Sequence, residues 1–261
     1  MGRFLIGTSG YYYPDWVGSF YPEGLKKKDF LSYYATQFDA VEINNTFYRM
    51  PSKKNISNMI SKTEAKLSFS LKVTKTLTHD LTTSWLEEAS NFKRSIDPLL
   101  VDDVLTSLLF QFPYSFHYTK DNRIYLSKLL KQFEGYPSVV EFRESNWQKD
   151  SVYEGLKNLD SSICLVDMPS IKNLPAFLPI ITNNQAYIRF HGRNSASWYA
   201  DDTKNNGSAR YRYLYSKEEL EETVGTIKIL KDKAQLTQIF FNNHPEGAAA
   251  FNARMLKSMF D

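Results

Sequence analysis

The sequence predicts an α/β chain folded as a single-domain (β/α)8 TIM-type barrel with parallel strands, and three observations carry that prediction. Short β-rich runs recur along the whole chain, amphipathic helical patterns fall between most of them, and most of the runs finish in polar or charged residues. Strand–helix alternation implies parallel strands with right-handed crossovers, and eight such units suggest a closed barrel. The 261 residues are read as one domain, 1–261, because no low-complexity linker divides them.

The first strand candidate is "FLIGTS", Phe4–Ser9, followed by a helical pattern over Asp29–Phe38. "AVEI", Ala40–Ile43, and "SFSLKV", Ser68–Val73, come next, then a helix over Ser84–Asp97. "SLLFQF", Ser107–Phe112, leads to a helix at Asn122–Phe133, and "SVVEFR", Ser138–Arg143, to one at Ser151–Leu159. "SICLVD", Ser162–Asp167, and "AYIRFH", Ala186–His191, are the sixth and seventh strands. A polar loop punctuated by Gly and Asn follows at about 194–215, the longest irregular insertion. "SKEE" at Ser216–Glu219 has the form of a capping box and opens a long helix over Lys217–Lys233. "QIFFNN", Gln238–Asn243, is the eighth strand and Gly247–Phe260 a closing helix. An open doubly wound sheet is the competing architecture, but "GTSG" at Gly7–Gly10 is neither GxGxxG nor a P-loop, and GxSxG is absent.

Composition narrows the class. Hydrophobic residues make up 42% and charged residues 23%, the balance of a globular protein with a real core. A net charge of +3 gives no strong electrostatic footprint for nucleic acid. The single cysteine excludes an intrachain disulfide and a cysteine-based zinc cluster, and it fits a reducing cytoplasm. The N-terminal apolar run is too short for a signal peptide and no segment is long enough to span a bilayer, so a cytoplasmic location away from membranes is expected.

The polar strand ends are the candidate site, since a barrel of this kind places its active site where the strands finish. Glu42 and Asn44 share parity on strand two, Glu141 and Arg143 on strand five, and Arg189 and His191 on strand seven. Lys72, Gln111 and Asp167 end strands three, four and six, and Asn242 and Asn243 end strand eight. With Asp167 inward, Cys164 is expected to face the helices as a small core residue. Burying so many charges is costly unless they pair with each other or with a ligand. The plain alternative is a self-satisfied ion-pair network that braces the barrel top.

The motifs "IGTSGYYYPDWVGSFYPEG", "VEINNTFYR", "FSLKVTKTLTHD", "LFQFP", "VVEFRESNW", "YIRFHGRN" and "FFNNHPEGAAAFNARML" resemble, in order, those of the DUF72 (YecE-like) proteins. The resemblance runs from Ile6 to Leu256 and implies a TIM-type barrel with the polar residues named above at motif positions. Likeness of barrel shape to the endonuclease IV group adds an expectation of DNA binding or phosphodiester cleavage. One departure stands out: Tyr11 replaces the usual Trp of the opening GTSGW motif.

Two classes of function follow. In the first, the chain is a hydrolase or lyase for a phosphorylated or nucleic-acid substrate. Arg143, Arg189 and Lys72 would hold the anion, Glu141 or Asp167 would act as base with Glu42 beside them, and His191 as acid. Asn44, Gln111, Asn242 and Asn243 would bind substrate, and Tyr11, Tyr12, Tyr13, Trp16 and Phe47 would stack a base or sugar. Only four histidines occur, without an HxH or HxxxH pair, so tight zinc is poorly supported while Mg²⁺ or Mn²⁺ at the carboxylates is allowed. A sugar isomerase or glycosidase uses similar acids but has less need of three cations. In the second class the same cations bind a phosphorylated metabolite or nucleic acid without turnover.

Overall fold

The structure, a computed structural model, describes residues 2–199 and 209–260; residues 200–208 of the long loop lie outside the described residues. Eight strands form, β1 (Arg3–Ser9), β2 (Ala40–Ile43), β3 (Ser68–Lys72), β4 (Leu105–Gln111), β5 (Ser138–Glu141), β6 (Ser162–Asp167), β7 (Gln185–Phe190) and β8 (Leu236–Phe241). They pair in chain order, all parallel, and β1 pairs with β8 to close the barrel. The α-helices are α1 (Phe30–Tyr34), α2 (Asn45–Tyr48), α3 (Lys53–Lys62), α4 (Trp85–Val101), α5 (Lys120–Gln132), α6 (Asp150–Lys157), α7 (Lys217–Lys233) and α8 (Ala248–Lys257). The architecture is the expected (β/α)8 barrel.

Alternation along each strand divides the core in two. Val41, Ile43, Leu71, Phe110, Leu165, Ile188 and Phe241 face outward and pack with the helices. Leu5, Ala40, Leu109, Val139, Tyr187 and Phe240 face inward and fill the lumen. Most of the N-terminal aromatics are consumed by packing, Tyr12 staying exposed: Tyr21 stacks on Phe30 with ring centroids 4.0 Å apart, and Phe20 packs edge-on against Trp16. Gly7 is dictated by the closeness of β1 and β2, since a Cβ there would lie 2.0 Å from the Ala40 carbonyl oxygen. Tyr34 seals the same seam, its hydroxyl accepting from the Thr8 amide at 2.9 Å and donating to the Ala40 carbonyl at 3.0 Å.

The helical layer departs from expectation in four places. α1 covers only the N-terminal half of Asp29–Phe38, and α4 continues past Asp97 through Pro98 to Val101. Between β2 and β3 two helices form that the sequence pattern did not announce. α3 buries just Ile56 and Ile60, a face too narrow to stand out, and owes its start to the Ser52 cap, which accepts from the Asn55 amide. Between β6 and β7 no described residue is helical. Pro169, Pro175 and Pro179 recur there, each removing a backbone donor that a helix would use. This coil covers the barrel wall itself, with Phe177 against Phe190.

Candidate functional site at the barrel mouth

Inward parity brings Glu42, Glu141 and Arg189 from three separated strands into one cluster. The Arg189 guanidinium donates to Glu141 Oε2 at 2.6 Å and to Glu42 Oε1 at 2.6 Å. Tyr187, one inward position earlier on β7, donates to Glu42 Oε2 at 2.6 Å and meets Ser70 Oγ at 2.7 Å. Arg143 caps the other Glu141 oxygen through Nε. His191 Nε2 also donates to Glu141 Oε1, at 3.2 Å, while its Nδ1 accepts from Asn242 Nδ2 at 3.0 Å. Glu42, Glu141 and His191 are fully buried, and Arg189 is 1% exposed.

These contacts set the electrostatics. Burial opposes ionisation of Glu141, but Arg143, Arg189 and His191 outweigh it and hold the carboxyl well below its ordinary range. Burial and then Arg143 push His191 down to about 3, so its imidazole is neutral. Burial, reinforced by Glu141, raises the Cys164 thiol, which is a poor nucleophile for that reason.

Lys72 differs from the rest. Its Nζ donates to Gln111 Oε1 at 2.7 Å and lies 3.9 Å from the centre of the Phe47 ring, and no described carboxylate forms an ion pair with it. Gln111 is itself fixed, its Nε2 donating to the Phe112 carbonyl at 2.7 Å. Burial first, then Arg189, push Lys72 down to about 7, with Glu141 offsetting part of the shift. The Phe47 face works the other way, but a cation–π contact is worth about 0.5–2 kcal/mol, less than a shift of several pH units represents. His79 packs edge-on against the same Phe47 ring and is lowered to about 4, by burial and then by Lys72.

Lys72, Arg143, Asn44 and His79 retain partial solvent exposure, so they form the reachable rim above the sealed ion network. Among the described residues neither terminal nitrogen of Arg143 has a hydrogen-bond partner, and its guanidinium lies 5.9 Å from the Trp198 ring. Asn44 Oδ1 is buried without a partner among the described residues. Trp198, from the loop after β7, is buried and joins the lumen cluster.

Several sequence expectations need correction. Asp167 faces the helical layer, where Tyr215 donates to it at 2.7 Å and Arg193 at 2.8 Å. Cys164 occupies the lumen instead, 3.8 Å from Glu141. The cause is parity: Ile163 and Leu165 take the outward positions of β6, and Asp167 follows them. Asn243 likewise follows Phe241 outward and bonds Asn252 and the Tyr213 carbonyl. Trp16 is fully buried and donates to the His244 carbonyl, while Tyr11 packs against Tyr34, so neither presents a stacking face at the cluster. The candidate Mg²⁺ or Mn²⁺ ligands do not fit a metal, because the two lumenal carboxylates are occupied by guanidinium groups. Among the described residues no three His, Cys, Asp or Glu side chains gather to hold an ion. Tyr187 was missed although it shares parity with Arg189; Trp198 carried no periodic signal at all.

The model of the family described as "Protein of unknown function DUF72" matches residues 5–261. The chain belongs to the DUF72 family. Among its relatives, the UPF0759 protein YunF of Bacillus subtilis is 29% identical over 98% of this chain and 94% of that protein. A DUF72 family protein of Thermotoga maritima has a crystal structure that superposes with a TM-score of 0.90, at 37% identity, covering 99% of both chains. One from Enterococcus faecalis superposes with a TM-score of 0.86 at 28% identity, covering 99% of this chain and 94% of that one. No helix among the described residues of this DUF72 chain is long and apolar enough to cross a membrane.

Proposed function

We propose that the chain is an enzyme that binds a small anionic substrate, carrying a phosphate or carboxylate group, at the barrel mouth. The observation that carries this reading is the division of labour among the cations. The terminal nitrogens of Arg189 are consumed by Glu42 and Glu141, whereas Lys72 and Arg143 are half-buried and keep donors without partners among the described residues. The two guanidinium groups and the two carboxylates cancel, so a protonated Lys72 leaves one positive charge for a ligand to neutralise. A guanidinium edge beside an ammonium matches a phosphate or carboxylate.

Within this reading Glu42, Glu141 and Arg189 are the brace, and His191 orients Glu141 instead of delivering a proton. A polymeric nucleic acid is the weaker substrate class, since Tyr13 stacks on His244 and Trp16 is internal, leaving few base-stacking faces. The test is thermal unfolding with inorganic phosphate and a panel of phosphorylated and carboxylated metabolites. At least one anion should raise the melting temperature, and Arg143→Ala should weaken its binding by about 1.5–3 kcal/mol, the scale of hydrogen bonds to a charged group. If no anion stabilises the wild type, the mouth is a structural closure and the proposal fails.

A further inference from the structure

We propose that Lys72 is a covalent nucleophile that forms an imine with the carbonyl carbon of a small anionic aldehyde or ketone; this rests on the anion-binding reading above. Four features of its surroundings point there. Its polar partner is neutral: Gln111 Oε1 accepts one N–H and leaves the nitrogen lone pair for attack. Gln111 cannot turn away, because its amide is tied to the Phe112 carbonyl. Lys72 is also only half-buried as a residue, whereas Glu42 and Glu141 are fully buried and held by Arg189. Finally, the terminal nitrogens of Arg143 have no hydrogen-bond partner among the described residues, and they lie at the same rim, where the anionic end of a bifunctional substrate would sit. The lowered pKa of about 7 is consistent, since a nucleophilic amine must be unprotonated in a useful fraction of molecules.

The step balances without an oxidant or reductant. The amine lone pair adds to the carbonyl carbon and the carbonyl π pair moves to oxygen, which takes one proton from the nitrogen and then the second as it leaves. Loss of that oxygen as water leaves a C=N bond, and one proton from solvent makes it the iminium. The iminium then withdraws electrons from the neighbouring carbon, which suits the site to breaking a C–C or C–H bond one carbon away.

The experiment treats the full chain at pH 7 with glyoxylate or glycolaldehyde phosphate, then sodium borohydride, which reduces an imine to a stable secondary amine. Peptide mass spectrometry locates the adduct, and thermal unfolding with inorganic phosphate is measured in parallel. We expect a single dominant adduct at Lys72, at least tenfold above any other lysine, and its loss in Lys72→Met and Lys72→Gln variants that retain the native circular dichroism. Phosphate stabilisation with adducts spread evenly over the lysines, or with none, overturns the nucleophile and leaves the anion site standing. Absence of both stabilisation and adduct overturns the two together.

Discussion

Lys72 and Arg189 are both cations inside one barrel, yet their energetics are opposed. Arg189 has two carboxylates within 2.6 Å, and removing it would leave Glu42 buried without a counter-ion and Glu141 with Arg143 alone, a loss of about 3–5 kcal/mol. Lys72 has a neutral amide and an aromatic face, and its folded-state pKa of about 7 lies below the ordinary lysine value of roughly 10.4. The unfolded chain therefore binds that proton more tightly, and the folded state carries a penalty near and below pH 7 that is relieved as pH rises toward 10. Replacing such a group with an apolar side chain of similar length is expected to stabilise. Lys72→Met should raise stability at pH 7 by about 1–2 kcal/mol in urea unfolding, the usual gain when a functional strain is removed. A lower midpoint in the variant would mean that Lys72 is a strut. Its place at the barrel mouth was legible from its position at the end of strand three, but its isolation from carboxylates was not, because that depends on how the side chains pair across the lumen.

At the scale of elements, legibility followed the strength of the local signal. The eight strands lie close to the apolar runs that predicted them, since a strand buried on both faces is a run of β-branched and aromatic residues. That same richness hid the direction of β6: "SICLVD" is apolar on both parities, so nothing local said that Asp167 points outward. Helices with broad faces or explicit caps were readable, and α3 with its two-residue face was not. α7 is the clearest case, because Ser216 accepts from the Glu219 amide while the Glu219 side chain accepts from the Ser216 amide. Ser216→Ala should cost about 0.5–2 kcal/mol, measured by thermal or urea unfolding. An unchanged midpoint would show that tertiary packing of Leu220, Ile227 and Leu230 alone holds the first turn.

For the whole molecule, three histidines are held neutral by their surroundings, burial being the first cause in each. His191 is lowered to about 3, and His79 and His244 to about 4, against an ordinary value of roughly 6.5. As pH falls below about 6.5 the unfolded chain takes up protons that the folded chain refuses, so stability present above that pH drains away toward pH 3–4. Glu141, also depressed, adds a further loss at lower pH still. From pH 6.5 to 5 the His191 share is about 2 kcal/mol, and His191→Gln should flatten urea-measured stability across that interval by this amount. An undiminished slope in the variant would mean that His191 is protonated in the native state. The Glu42–Arg189–Glu141 cluster also bears on how the barrel comes together. It joins β2, β5 and β7, three walls separated by long stretches of chain, through one guanidinium that no single neighbour can satisfy. An intermediate lacking any one of these walls would strand a charge in a half-dried interior. Sheet closure and charge burial are thus a single event, and half-barrels of this sequence have no comfortable resting state.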